Sequence, residues 1–161
     1  MSTTRTPPPE PSAPADEAGQ VFHLLGQLYL EPPDEATLST VATWASRWLE
    51  TDPGESIAAA LEPIAAAAPA DAERLNEEFT RLFRGVLPGS PDPPYESLYR
   101  DGALEGPSGA AVRSAYRSAG VDVAPDSGEL ADHLGIELHF VGALRERGDR
   151  EAAASFVADH P

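Results

Sequence analysis

Apolar residues recur along most of the chain at the three- and four-residue spacing of an amphipathic helix. Val21, Leu24, Leu25, Leu28 and Tyr29 form the first such stripe, and Pro32-Pro33 stops it. Asp34 can cap a second helix carrying Leu38, Val41, Ala45, Trp48 and Leu49, which Pro53-Gly54 ends. An alanine-rich helix over 55–68 follows, interrupted or started late by Pro63. Pro69 and Asp71 open a fourth helix over 72–84, with Leu75, Phe79, Leu82 and Phe83 on one side and Gly85 after its end. A fifth spans 108–119 and stops at Gly120. Beyond a turn around Pro125, Asp126 and Glu129 form a capping-box pair for a sixth, whose stripe of Leu130, Leu134, Leu138 and Val141 runs towards Gly148. Asp149 can cap a last helix over 150–159. Val121 and Val123 are the only strand-like scrap, so the pattern predicts an all-α, single-domain bundle of about six to seven helices.

Two segments break the pattern. Residues 1–15 hold five prolines and no large apolar residue after Met1, too little to offset the entropy of ordering. They read as a disordered tail, leaving 16–161 as the helical domain. Residues 86–106 contain Pro88, Pro91, Pro93 and Pro94, which forbid a regular helix there. Val86, Leu87, Tyr95, Leu98 and Tyr99 lie in the same stretch, and a long proline-rich loop carrying aromatics is usually pinned to a core or functional.

Composition narrows the function. The chain carries 27 acidic and 11 basic residues, all of the latter arginine, for a net charge of −16 over 161 residues. No cationic stripe is available to neutralise phosphates, which argues against nucleic acid and against an anionic membrane surface. No apolar run approaches the ~20 residues of a membrane span, and no secretory signal opens the chain. The absence of cysteine removes disulfides, thiolate nucleophiles and cysteine metal sites. A cytoplasmic protein is expected. The excess of acid suits either a high-salt cytoplasm of the halophilic type or an acidic surface for a basic partner.

Asp132, His133, Glu137 and His139 make the most suggestive polar cluster. On the sixth helix, Glu129, His133 and Glu137 share one face at i, i+4 and i+8. A metal site and an Asp-His acid–base pair are both readings of this cluster. The first lacks further ligands, since His139 points elsewhere, and the second lacks a nucleophile in a strained turn. A solvated helix face is the structural alternative.

Pro93-Pro94-Tyr95-Glu96-Ser97-Leu98-Tyr99, preceded by Phe79-Thr80-Arg81-Leu82-Phe83, resembles the TorD/DmsD/NarJ-like family of molybdoenzyme chaperones. Asp132-His133-Leu134-Gly135-Ile136-Glu137-Leu138-His139-Phe140 is similar to the family's second element, an Asp-His pair opening a helix. The first helix and its Pro32-Pro33-Asp34 exit complete a likeness over residues 20–160. The resemblance implies a TorD-like helical bundle without catalytic activity, cofactor or metal. It implies a chaperone that binds the catalytic subunit of a molybdoenzyme of the dimethyl-sulfoxide-reductase type, often at its twin-arginine leader, until the cofactor is inserted.

Carried over, the family's recognition surface falls on Pro94, Tyr95, Glu96, Ser97, Tyr99, Asp132, His133 and Glu137. An Arg-Arg pair followed by an apolar stretch needs carboxylates beside an aromatic groove. Glu96, Asp132 and Glu137 are the expected carboxylates, and Tyr95, Tyr99 and Phe140 the expected aromatics. Family members usually continue with a further helix or two where this chain reaches His160-Pro161. A missing helix would expose apolar surface and favour a homodimer, with exchange of helices between chains. A helical interaction scaffold without such a client, and a small hydrolase built on Asp132 and His133, are the competing functions.

Overall fold

A computed structural model describes residues 17–84, 91–124 and 127–160 of the chain. The expected tail over 1–15, Gly85, Val86, Leu87 and Pro88, the turn at Pro125-Asp126 and Pro161 lie outside them. The helices are α1 (Glu17–Leu30), α2 (Glu35–Leu49), α3 (Glu55–Ala65), α4 (Ala72–Phe83), α5 (Glu96–Asp101), α6 (Pro107–Ser118), α7 (Leu134–Glu146) and α8 (Arg150–Asp159), with one 3-10 turn at Pro69–Asp71. Among the described residues there is no strand, only an isolated backbone bridge between Tyr95 and His133. The fold is all-α, as the periodicity requires.

Local chemistry sets several of these boundaries. Asp34 Oδ1 accepts from the Thr37 N–H at 2.7 Å and starts α2, and Asp149 Oδ1 accepts from the Ala152 N–H at 3.2 Å and starts α8. Pro63 stands inside α3 in its last turns, where the missing N–H removes one bond and does not end the helix. α5 is the helix that the proline pattern does not anticipate. The prolines reach only to Pro94, and six proline-free residues then turn with the help of a cap from elsewhere in the chain.

The sixth expected helix starts late. α7 begins at Leu134, with His133 as its N-cap in an extended conformation (φ −73°, ψ 127°), not near Asp126 and Glu129. Residues 132–134 are instead committed to backbone pairing with 94–96. The Glu96 N–H donates to the Asp132 carbonyl at 2.9 Å, and the Leu134 N–H donates to the Pro94 carbonyl at 2.8 Å. Glu129 therefore lies before the helix, and the single face shared by Glu129, His133 and Glu137 does not form.

α1 and α7 pack antiparallel along glycines. A Cβ at Gly26 would stand 2.7 Å from the Gly135 carbonyl oxygen, and one at Gly135 would stand 2.8 Å from that of Gly26. Two turns away, Gly19 faces the Gly142 carbonyl, and Gly142 in turn faces the His23 ring. Only glycine permits backbones to meet this closely. The seam also brings the His23 and His139 rings together, tilted by 35°, with their Nδ1 atoms 2.9 Å apart. On the other side of α7, Phe140, Val141 and Leu144 join Val112 and Tyr116 of α6 and Phe156 of α8 in the main core. α2 packs its buried face, Leu38, Val41 and Ala45, in a second group with α3.

Candidate functional site

The bridge between 94–96 and 132–134 joins the two motifs that the sequence separates by more than 30 residues. Each motif caps the other's helix or its own. Asp132 is fully buried, and its Oδ2 accepts from the Ser97 N–H at 3.0 Å, capping α5 from across the fold. His133 Nδ1 accepts from the Gly135 N–H at 3.0 Å and caps α7. That bond leaves the proton of the neutral ring on Nε2, and burial pushes the His133 imidazole below its ordinary pKa. Gly109 of α6 makes room for Asp132, since a Cβ there would come within 3.2 Å of the carboxyl carbon.

Tyr95 holds the same junction from the other side. Its ring meets His133 edge-on at 5.0 Å, and its hydroxyl donates to Glu129. Arg84 Nη1 donates to the second Glu129 oxygen at 2.9 Å, and its Nη2 donates to the Leu30 carbonyl at 3.0 Å. Burial alone would raise the Glu129 carboxyl, but the bonds from Tyr95 and Arg84 outweigh it and hold the group below its ordinary value. Burial and the Glu129 charge push the Tyr95 phenol well above its usual range, so it stays a donor.

Beside this junction lies a groove of about 600 Å³ between α1, α4, α5 and α7. Tyr29, Phe83, Tyr99 and Leu134 give it an apolar wall, with Tyr29 and Phe83 edge-to-face at 5.3 Å. Tyr99 is 64% exposed and its hydroxyl donates to the Asp92 carbonyl at 2.6 Å. The polar end carries Glu96 and Glu137. Glu96 is occupied on both oxygens, by Arg100 on one and by His160 Nδ1 at 2.8 Å on the other. Glu137 is 1% exposed, and no donor reaches either of its oxygens. Burial first, then the charges of Glu96 and Asp132, push its carboxyl up to about 9. At neutral pH it is a carboxylic acid, whose O–H can donate to Glu96.

The structure therefore brings Pro94, Tyr95, Glu96, Tyr99 and Glu137 to the groove, and sets Ser97, Asp132 and His133 beneath it as buried struts. Phe140 corrects one expectation. It faces away, packed against Tyr116 and Phe156 at 4.5 and 4.8 Å, so the groove takes its aromatics from Tyr29 and Phe83 instead. Sequence reasoning missed Tyr29, Phe83, Arg100 and His160 as lining residues. Phe83 was within reach, since it closes the Phe79–Phe83 stretch that leads into the loop, and Arg100 lies one helical turn after Glu96. His160 carried no signal in the sequence.

The Asp-His pair is not an acid–base relay. The Asp132 carboxylate is aimed at α5 and the His133 Nδ1 at its own helix, so neither orients the other. No group of three metal-ligating side chains converges among the described residues. No described helix is long and apolar enough to cross a membrane.

Residues 49–160, more than half of the chain, match the profile of the nitrate reductase delta subunit family. No curated protein is significantly similar to the chain. Among solved structures, an Archaeoglobus fulgidus protein named as a redox enzyme maturation protein superposes with a TM-score of 0.54 and 22% identity, over 88% of this chain and 81% of that one. At that identity the likeness shows a common fold. The family profile goes further: the chain belongs to the nitrate reductase delta subunit family, the NarJ/TorD type of molybdoenzyme maturation chaperone, and is not an enzyme.

Proposed function

We propose that the groove between α1, α4, α5 and α7 receives the twin-arginine leader of the catalytic subunit of a dimethyl-sulfoxide-reductase-type molybdoenzyme. The protein would hold the apo-subunit in the cytoplasm during cofactor insertion. The observation that carries this reading is the adjacency, in one cleft, of an aromatic wall and a carboxyl-lined end. A leader is an arginine pair followed by an apolar stretch, and such a cleft matches both halves at once. Tyr95 and Tyr99 would meet the apolar stretch, and Glu96 and Glu137, which line the same groove, the arginine pair. Asp132 and His133 support it from below by capping α5 and α7.

Titration of the leader peptide against the protein tests the reading, with an Ala-Ala leader as control and salt held constant. Preferential binding of the Arg-Arg peptide, lost on Tyr99→Ala or Phe83→Ala, is the expected result. Equal binding of both peptides would discard leader recognition and favour a helical interaction scaffold.

A further inference from the structure

Three carboxylates meet around the N-termini of α5 and α7, and they differ in what already satisfies them. Asp132 spends one oxygen on the Ser97 N–H, and Glu96 is taken by Arg100 and His160. Glu137 has no donor on either oxygen, is almost wholly buried, and borders the groove. An ionised carboxylate in that setting is costly unless a cation or a proton comes with it. The groups facing Glu137 are Glu96 and Arg100 on α5, Asp132 before α7 and Tyr116 on α6, with His160 beyond Glu96. Arg100 is the one fixed cation in this set, and Glu96 already engages both it and the His160 ring.

Resting on the proposed use of the groove, we infer that a guanidinium or ammonium side chain entering it binds at Glu137 and expels the proton held there. The carboxylic acid gives up its proton to solvent and becomes the carboxylate that pairs with the incoming cation. The proton on Glu137 is thus replaced by the ligand's own N–H donors, with net charge conserved at the site. The same acid that keeps the empty groove neutral at this point becomes its cation receptor. Capture is then coupled to pH: affinity rises as pH rises, by up to roughly tenfold per pH unit while Glu137 stays protonated in the free protein.

Calorimetric titration of a capped, histidine-free peptide bearing Arg-Arg before an apolar run reads this directly. Run in buffers of different ionisation enthalpy, at about pH 6 and about pH 8 and fixed high salt, it gives the protons released per peptide. About one proton is expected from the native chain and close to none from Glu137→Gln, whose affinity should be flat with pH. Binding of the Arg-Arg peptide without proton release overturns the inference and leaves the groove reading intact. Proton release that survives in Glu137→Gln also overturns it, since the proton then comes from another group. Absence of binding at both pH values overturns the groove reading together with it. Circular dichroism of Glu137→Gln confirms that the variant is folded, as expected for a carboxamide replacing a neutral carboxyl of the same shape.

Discussion

Two buried groups tie the stability of the fold to pH in opposite directions. Glu137 is raised from 4.5 to about 9 in the folded chain. Between those values the native state holds a proton that the unfolded chain releases. Stability from this group is therefore full below the ordinary carboxyl range and lost as pH rises towards 9, by at most about 1.4 kcal/mol per pH unit. Glu137→Gln should remove that slope, so urea denaturation at about pH 8 should find the variant more stable than the native chain. His133 is lowered by burial, so its contribution is present above the ordinary imidazole range and fades as pH falls. His133→Ala should cost about 1 kcal/mol near neutrality by removing the α7 cap, with His133→Asn recovering most of it in the same assay. Asp132→Ala should cost more, about 1–3 kcal/mol, because it strips the α5 cap and leaves the buried Ser97 N–H unpaired.

At the scale of elements, the site is where it is because α5 and α7 begin at one backbone junction. The bridge of 94–96 with 132–134 fixes both N-termini, and each helix then carries one groove carboxyl in its first turn, Glu96 and Glu137. The α1–α7 seam sets the opposite side of α7. Gly26→Ala drives a Cβ into the Gly135 carbonyl, where backbone meets backbone and nothing flexible can yield. A loss of about 1–3 kcal/mol is expected, read as a fall in the thermal midpoint. Gly19→Ala should cost less, because its nearest neighbour at 3.0 Å is the Glu146 side chain, which can move, and alanine gains helix propensity. The paired glycines stand seven residues apart on each helix, a spacing that the reading of apolar positions passes over. Periodicity alone did not say which helices they would join.

The whole molecule carries a net charge of −16 with no lysine, and most of that acid lies outside the groove. Self-repulsion at this charge opposes the compact state and is screened by salt. The thermal midpoint should rise when salt goes from about 0.1 M to about 1 M, while leader binding weakens only modestly if the cationic contact is made in the buried end of the groove. A melting series and a binding series over the same salt range check the pair.

The helical class, the caps at Asp34 and Asp149 and the proline stops were all legible in the chain. They depend on spacing and cap chemistry, which act within a few residues. The motif residues around Tyr95 and Asp132 were legible as well. Their roles were not. Burial divides them: Asp132 and His133 became caps, Phe140 joined the core, and Tyr29 and Phe83 replaced it on the groove wall. Glu137 stood out in the sequence only as an expected carboxylate; its hold on a proton came from packing that removed it from water beside two others of like charge. A proton affinity of that kind belongs to the environment, and the environment comes from the pairing of segments far apart in the chain.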